Sequence, residues 1–296
     1  MNNKKKRFLI ETIKQGNKHN DINEYIPKKF KISNVKYGIL SENEIRARSD
    51  ASITKTKINE SGSVVYSGVN DARLGVNLRS VLCNTCGQNS LKCQGHVGDI
   101  DLEYPCVNIE FLSIIHKVLT CVCFHCSKLL FTKAHRKFVS ILAIKSKKKR
   151  FKRIYDVCSR IHVCGNRKEN NIMFGSIDPC GGKQPVYKKK DITICAKFDD
   201  LSEHILTPIK MKRILQYISN EDIILLGMDP NNSHPVNMMW SRMIVPPVQM
   251  RPSSAYRVIS TSNESDLTMS IRNIISENMK MKKYNKVDEI HLELDC

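Results

Sequence analysis

Apolar residues follow helix and strand periods along most of the chain, but the first 30 residues are Lys- and Asn-rich and show little periodicity. Order is expected to begin near Phe30. NVKYGIL (Asn34–Leu40) predicts a strand, and Ser41 with Glu44 three residues later predicts a capping box opening a short helix through Ile45. Gly62 and Gly68 mark Glu60–Val69 as a loop. In NIEFLSIIHKVLT, Phe111, Ile114, Ile115, Val118 and Leu119 share one helical face. Thr132–Ile161 reads as basic helix broken once near Ser146. Thr207 before Pro208 is an N-cap with proline at the first helical position, and Ser219 with Asp222 suggests another capping box. A last amphipathic helix is predicted over Asp266–Lys283, with Leu267, Ile271, Ile274, Ile275 and Met279 on one side.

Charge narrows the class of partner. The 296 residues hold 48 Lys and Arg against 29 Asp and Glu, a net charge of +19, which favours a polyanion and above all nucleic acid. The surplus gathers in Lys4–Arg7, Lys145–Arg153, Lys188–Lys190 and Lys280–Lys286, blocks that repel themselves unless solvated or set against phosphate. The length suits two or three modules with their own cores. No stretch reaches the roughly 18 apolar residues of a membrane span, and MNNKKKRF lacks a signal peptide's apolar core. The expected setting is therefore intracellular and reducing, where clustered thiols read as metal ligands rather than disulfides.

The 12 cysteines then carry chemistry. Cys83 and Cys86 stand in C-x2-C spacing, followed by Cys93 and His96 in C-x2-H. Four ligands so close make a closed tetrahedral zinc site with no position for a catalytic water. Gly87, Gly95 and Gly98 suit backbone wrapped round a metal. A second half-site, Cys123 and Cys126, needs two distant ligands from among Cys158, Cys164 and Cys180. Cys158 falls on an apolar helix face with Phe151, Ile154 and Tyr155, so it reads as core. Cys164 and Cys180 lie in loops, and Cys180 precedes Gly181 and Gly182, so they complete the set. His125 competes with its flanking cysteines but breaks the C-x2-C spacing. Cys106, Cys121, Cys195 and Cys296 have no partner at ligand spacing and read as structural or incidental.

No phosphate-binding loop, G-x-S-x-G or H-E-x-x-H occurs. Asp99 and Asp101 would share one face of a strand, but no third carboxylate is near, and they read as exposed acids on a strand edge.

NDARLG (Asn70–Gly75), CNTCGQNSLKCQGHVGDIDL, CVCFHCSKLL and VPPVQMRPS (Val245–Ser253) occur in an order that resembles the N-terminal clamp region of the largest subunit of multisubunit DNA-directed RNA polymerase. The likeness runs over roughly Lys31–Lys283 and is nearest the eukaryotic RNA polymerase II type. KYGILSENEIRARS is also similar to that subunit's opening segment. Two departures stand out. Val248, Gln249 and Met250 interrupt the family's proline-rich turn, although residues preceding Pro246, Pro247 and Pro252 should stay extended. The magnesium-binding N-A-D-F-D-G-D motif does not occur.

The resemblance implies an α+β, irregular, helix-rich, multi-module clamp stapled by two structural zinc ions. Their ligands would be Cys83, Cys86, Cys93 and His96, and Cys123, Cys126, Cys164 and Cys180. Expected modules are a basic arm (1–30), an N-terminal clamp segment with the first zinc site (31–105), a clamp head with the second (106–200) and a clamp core with the proline-rich turn (201–296). Implied partners are the second-largest subunit, the remainder of the largest subunit, template DNA and the RNA–DNA hybrid, with no membrane. Nucleotidyl transfer, with its magnesium, would belong to the assembled enzyme. Phosphate contacts are expected from Lys147, Lys148, Lys149, Arg150, Lys152, Arg153, Lys282 and Lys283.

A subunit encoded in pieces, an intron-interrupted coding sequence or a truncated remnant would each explain the length. High Lys, Asn and Ile content hints at an AT-rich genome, such as a large DNA virus or a parasite, with transcription in a nucleus or viral factory. A competing reading is a free-standing zinc-dependent DNA-binding regulator, which predicts base-reading helices that the sequence does not present.

Overall fold

Helix caps written in the sequence organise much of the chain. A computed structural model describes residues 31–35, 37–60, 63–77, 81–131, 135, 137–165, 180–198, 202–255 and 262–294. The expected arm over 1–30 with its Lys4–Arg7 run, the start of the predicted helix at Thr132, and Cys296 lie outside the described residues. The chain divides into two units, Met1–Gly38 and Ile39–Cys296.

In the first unit the described residues form no helix or strand, and Ile32, Val35 and Tyr37 are exposed. The strand expected over Asn34–Leu40 is therefore not formed by its described residues. Its C-terminal part is held otherwise, by the Ile39 amide donating to Asn232 O at 2.7 Å.

In the second unit, α1 (Glu42–Arg48) opens on the expected capping box, with reciprocal bonds between Ser41 and Glu44, and runs a turn past Ile45. Next come β1 (Ala51–Ser52) and a small hairpin of β2 (Asn59–Glu60) and β3 (Ser63–Val64) inside the predicted loop. The chain continues through β4 (Gly98–Val107), α2 (Leu112–Cys121), α3 (Phe138–Leu142) and α4 (Lys147–Cys158). Ser146 caps α4, and the expected break near Ser146 is the one that separates α3 from α4. Strands β5 (Val186–Lys190), β6 (Thr193–Lys197) and β7 (His204–Ile205) form an antiparallel sheet.

Helix α5 (Pro208–Gln216) starts at the Thr207 cap with Pro208 in its first turn, and α6 (Asn220–Leu225) starts at Ser219. Only half of the second capping box forms, because the Asp222 carboxylate accepts from the Leu129 amide instead, at 3.3 Å. The chain ends with β8 (Met239–Val245), the short pair β9 (Ser254–Ala255) and β10 (Ser262–Asn263), and α7 (Asp266–Leu294). The architecture is α+β.

β4 is the centre of a mixed sheet, parallel to β1 and antiparallel to β8. Gly98 stands opposite both Ala51 and Val245, and its part is close approach. A Cβ there would meet Leu74 Cδ2 at 2.6 Å and Ala51 O at 2.8 Å. One face of this sheet joins Ala51, Ile53, Val69, Leu74, Ile100, Val245 and Val248 to Ile271 and Ile275 of α7. Full burial of each large aliphatic contributes about 1.5–3 kcal/mol. Leu267 and Met279, expected on the same stripe, are exposed, so only the middle of the predicted face is used. A second core packs α2, α4, α5 and α6 with Phe131, Ile194 and Met238.

Asp99 and Asp101 are not both exposed edge acids. Asp99 is buried on the central strand, paired with Arg242 and accepting from Ser49 Oγ at 2.5 Å, while Arg242 Nη2 also reaches Asp101 at 3.1 Å. This finding replaces the strand-edge expectation, because β4 has a partner on each side.

The proline-rich segment is pinned by Arg251, almost wholly buried. Its guanidinium donates to Val69 O at 2.7 Å, Asn70 Oδ1 at 3.0 Å, Pro246 O at 3.0 Å and Thr268 Oγ1 at 3.2 Å. Burial lowers its pKa to about 10, against the nearby Glu264 charge, so it stays a cation at neutral pH. Val248–Met250 form a 3-10 turn, and Arg251 has ψ 63, short of the extended backbone expected before Pro252. The inward pull on its side chain accounts for that departure.

Candidate metal centres and basic surface

Two short loops of different sequence, CNTCGQ and CFHCSK, fold alike. The first cysteine's amide donates to the carbonyl five residues on (Cys83 to Gln88, 2.9 Å; Cys123 to Lys128, 2.8 Å). Its carbonyl accepts from the amide four residues on (Gly87, 2.8 Å; Ser127, 3.0 Å). That fourth residue is left-handed in both, Gly87 at φ 69 and Ser127 at φ 58. The turn aims two thiols at one point, and it tolerates a buried serine where the first loop has glycine.

In the first group the ligand atoms of Cys83, Cys86, Cys93 and His96 all lie within 4.8 Å of one another. Asn89 turns the chain between the pairs, its carbonyl accepting from the Cys93 amide at 2.9 Å. Gly95, at φ 83, lets Pro247 and Gln249 approach, since a Cβ would meet Pro247 Cβ at 2.6 Å. His96 Nδ1 is 3.3 Å from Asp50 Oδ2, while Nε2 is buried without a hydrogen-bond partner. The Cys93 thiol is held below its ordinary range: burial raises it, but the Gly95 amide, the Cys86 and Cys83 thiols and the Gln249 side chain outweigh that.

In the second group Cys123, Cys126, Cys164 and Cys180 converge within the same limit. The Cys123–Cys180 sulfurs are 3.5 Å apart and the Cys126–Cys164 sulfurs 3.9 Å. A tetrahedral ion with metal–sulfur bonds of about 2.3 Å spaces its ligands about 3.8 Å apart. Gln184 is buried and spans the site, donating to Cys123 Sγ at 3.2 Å and Gly182 O at 2.8 Å while accepting from the Phe124 amide at 2.8 Å. Burial pushes the Cys123 thiol up, but the Cys126 and His125 amides and the Cys180 and Cys126 thiols bring it down to about 7. Burial, with the Cys123 and Cys126 charges, pushes Cys164 up.

Both donor sets fit a soft divalent ion: three thiols with an imidazole whose Nε2 is unpartnered, and four thiols at ligand separation. Cys158 lies in the second core, where its thiol neighbours that of Cys121. The His125 ring packs edge-on against Phe124, with centroids 5.2 Å apart, and closes on Gly182, where a Cβ would meet its Cδ2 at 2.4 Å. Asp50, Gln184 and Gln249 were missed in sequence because each arrives from a distant segment with no ligand spacing to mark it.

Of the basic residues singled out, Lys147, Lys148, Lys149, Lys152 and Arg153 project from α4 into solvent, as do Lys282 and Lys283 from α7. Arg150 turns inward and donates to Ile224 O at 3.1 Å. The first turn of α4 carries three lysines and no acid, at the positive end of a helix dipole where cations are disfavoured by about 0.3–1 kcal/mol each. No acid within that first turn offsets the repulsion, whereas an external anion would.

The chain is basic and carries two cysteine-rich groups that could each hold a metal ion, and comparison with known proteins gives its family. The chain belongs to the family described as RNA polymerase Rpb1, domain 1, whose sequence profile matches residues 29–293. It is 34% identical over 267 residues to the DNA-directed RNA polymerase II subunit RPB1 of Euplotoides octocarinatus, covering 86% of this chain and 54% of that one. It is 33% identical over 232 residues to the DNA-directed RNA polymerase subunit 1 of Acanthamoeba polyphaga mimivirus, covering 74% of this chain and 15% of that one. The chain thus spans about half of the first relative's length and less of the second's.

Proposed function

We propose that this chain is the N-terminal clamp portion of the largest subunit of a DNA-directed RNA polymerase, helping to retain template DNA and the RNA–DNA hybrid during transcription. The family match over residues 29–293 supports membership, and the acid-free first turn of α4 is the observation that carries the nucleic-acid role. Backbone phosphates at Lys147, Lys148 and Lys149 would relieve that local repulsion, and Lys152 and Arg153 would add contacts, without reading sequence, which suits an enzyme that slides along any template.

In this reading Cys83, Cys86, Cys93 and His96 hold one zinc ion, and Cys123, Cys126, Cys164 and Cys180 another. When bound, the ions crosslink loops and perform no chemistry. The modules 31–105, 106–200 and 201–296 are the N-terminal segment, head and core of the clamp. The partners are the second-largest subunit and the rest of the largest subunit, which brings the catalytic magnesium. Transcription takes place in the nucleus or a viral factory, and among the described residues no helix is long and apolar enough to cross a membrane.

The test is binding of the assembled polymerase to a bubble-shaped DNA template over a salt series. Reversing Lys148, Lys149, Lys152 and Arg153 to Glu should weaken binding on all templates alike and flatten the salt dependence, each lost phosphate contact lowering the logarithmic slope by about 0.9. An unchanged slope would sink the assignment.

A further inference from the structure

We propose that Asp50 is a positioning residue for the first four-ligand group, fixing which nitrogen of His96 faces the metal; this rests on the reading that the group holds zinc. An imidazole binds metal through one neutral nitrogen, and the tautomer is set by what the other nitrogen contacts. In His96, Nδ1 stands 3.3 Å from Asp50 Oδ2, and a carboxylate placed there favours the tautomer with its proton on Nδ1. Nε2 is left buried, with no hydrogen-bond partner and its lone pair free for an ion.

The contact is built into the backbone and is not a chance meeting of surface side chains. Both side chains are mostly buried, at 19% and 23% exposure. Asp50 donates its amide to Val97 O at 2.9 Å, the residue after His96, and the His96 amide donates to Leu74 O at 3.1 Å. Next to Asp50, Ser49 Oγ binds the buried Asp99. Asp50 is thus carried on the same clasp that joins the end of α1 to the central strand. The first group is thereby tied to the sheet through its only nitrogen ligand.

The second group provides an internal control, because its four candidate ligands are thiols with no tautomer to choose. The experiment loads the full chain with zinc and follows transfer of each ion to a chromogenic chelator, with cobalt(II) spectra distinguishing the three-thiol, one-imidazole group from the four-thiol group. Asp50→Ala should weaken the first ion by about 10- to 100-fold and leave the second unchanged. Asp50→Asn keeps an acceptor oxygen and should fall between. Nitrogen NMR of His96 in the zinc-loaded chain should show the Nδ1–H tautomer, and Asp50→Ala should disturb it. Unchanged release of both ions, or equal loss from both groups, would overturn the proposal. An unsubstituted chain lacking the imidazole-bearing centre would remove the zinc reading itself, a failure visible before any variant is made.

Discussion

Arg251 donates to the Asn70 side chain at 3.0 Å, across 181 residues of sequence. The two residues belong to NDARLG and VPPVQMRPS, so segments far apart in the chain are parts of one buried knot that also takes in Val69 O, Pro246 O and Thr268 at the start of α7. Removing the guanidinium leaves several buried acceptors without a donor. Arg251→Met should destabilise the zinc-loaded chain by about 3–5 kcal/mol in denaturant unfolding. Arg251→Lys should lose less, because it keeps the charge but not the fork. A change in the midpoint too small to separate Met from the native residue would contradict the knot's role.

The cysteines of the second group separate by position. Cys164→Ser or Cys180→Ser should reduce bound zinc from two ions per chain to one. Cys158→Ser should keep both ions and instead destabilise the core, by about 1–3 kcal/mol for a buried hydroxyl without a good partner. Metal analysis and thermal unfolding of the three variants read these outcomes. Full zinc retention in the Cys164 or Cys180 variant would show that the convergent thiols are not ligands.

Asp71 gives a pH dependence. Burial raises its carboxyl pKa, but Arg73, through its side chain and amide, and the Ser67 amide together hold it below the ordinary range. A carboxyl depressed in the folded state contributes stability that is fully present above the unfolded value of about 3.9 and is lost as pH falls through the lower folded value. The stability difference between the native chain and Asp71→Asn should therefore be constant near neutrality and shrink on acidification below about pH 4. A difference that grew in acid would reverse the sign.

What could be read from sequence was local. Ser41 with Glu44 and Thr207 with Pro208 state their helix starts within four residues, and both starts form. Ligand spacing marked the first group and the Cys123–Cys126 half of the second, loop position supplied Cys164 and Cys180, and the apolar periodicity around Cys158 placed that residue in the core. What was lost depended on distant partners. Asp222 left its capping box for Leu129, Asp99 became central because β8 returns from far along the chain, and the inserted Gln249 found a seat against Gly95. The described residues of the expected strand at Asn34–Leu40 have no neighbouring strand to pair with, and Ile39 bonds to Asn232 instead.

The most direct test of the central claim is native purification of the tagged chain from its own organism, with mass spectrometry of everything that accompanies it. Recovery with a second-largest polymerase subunit and a polypeptide carrying N-A-D-F-D-G-D, in a fraction that transcribes DNA, is the predicted result. Recovery alone, or with partners unrelated to transcription, would contradict it.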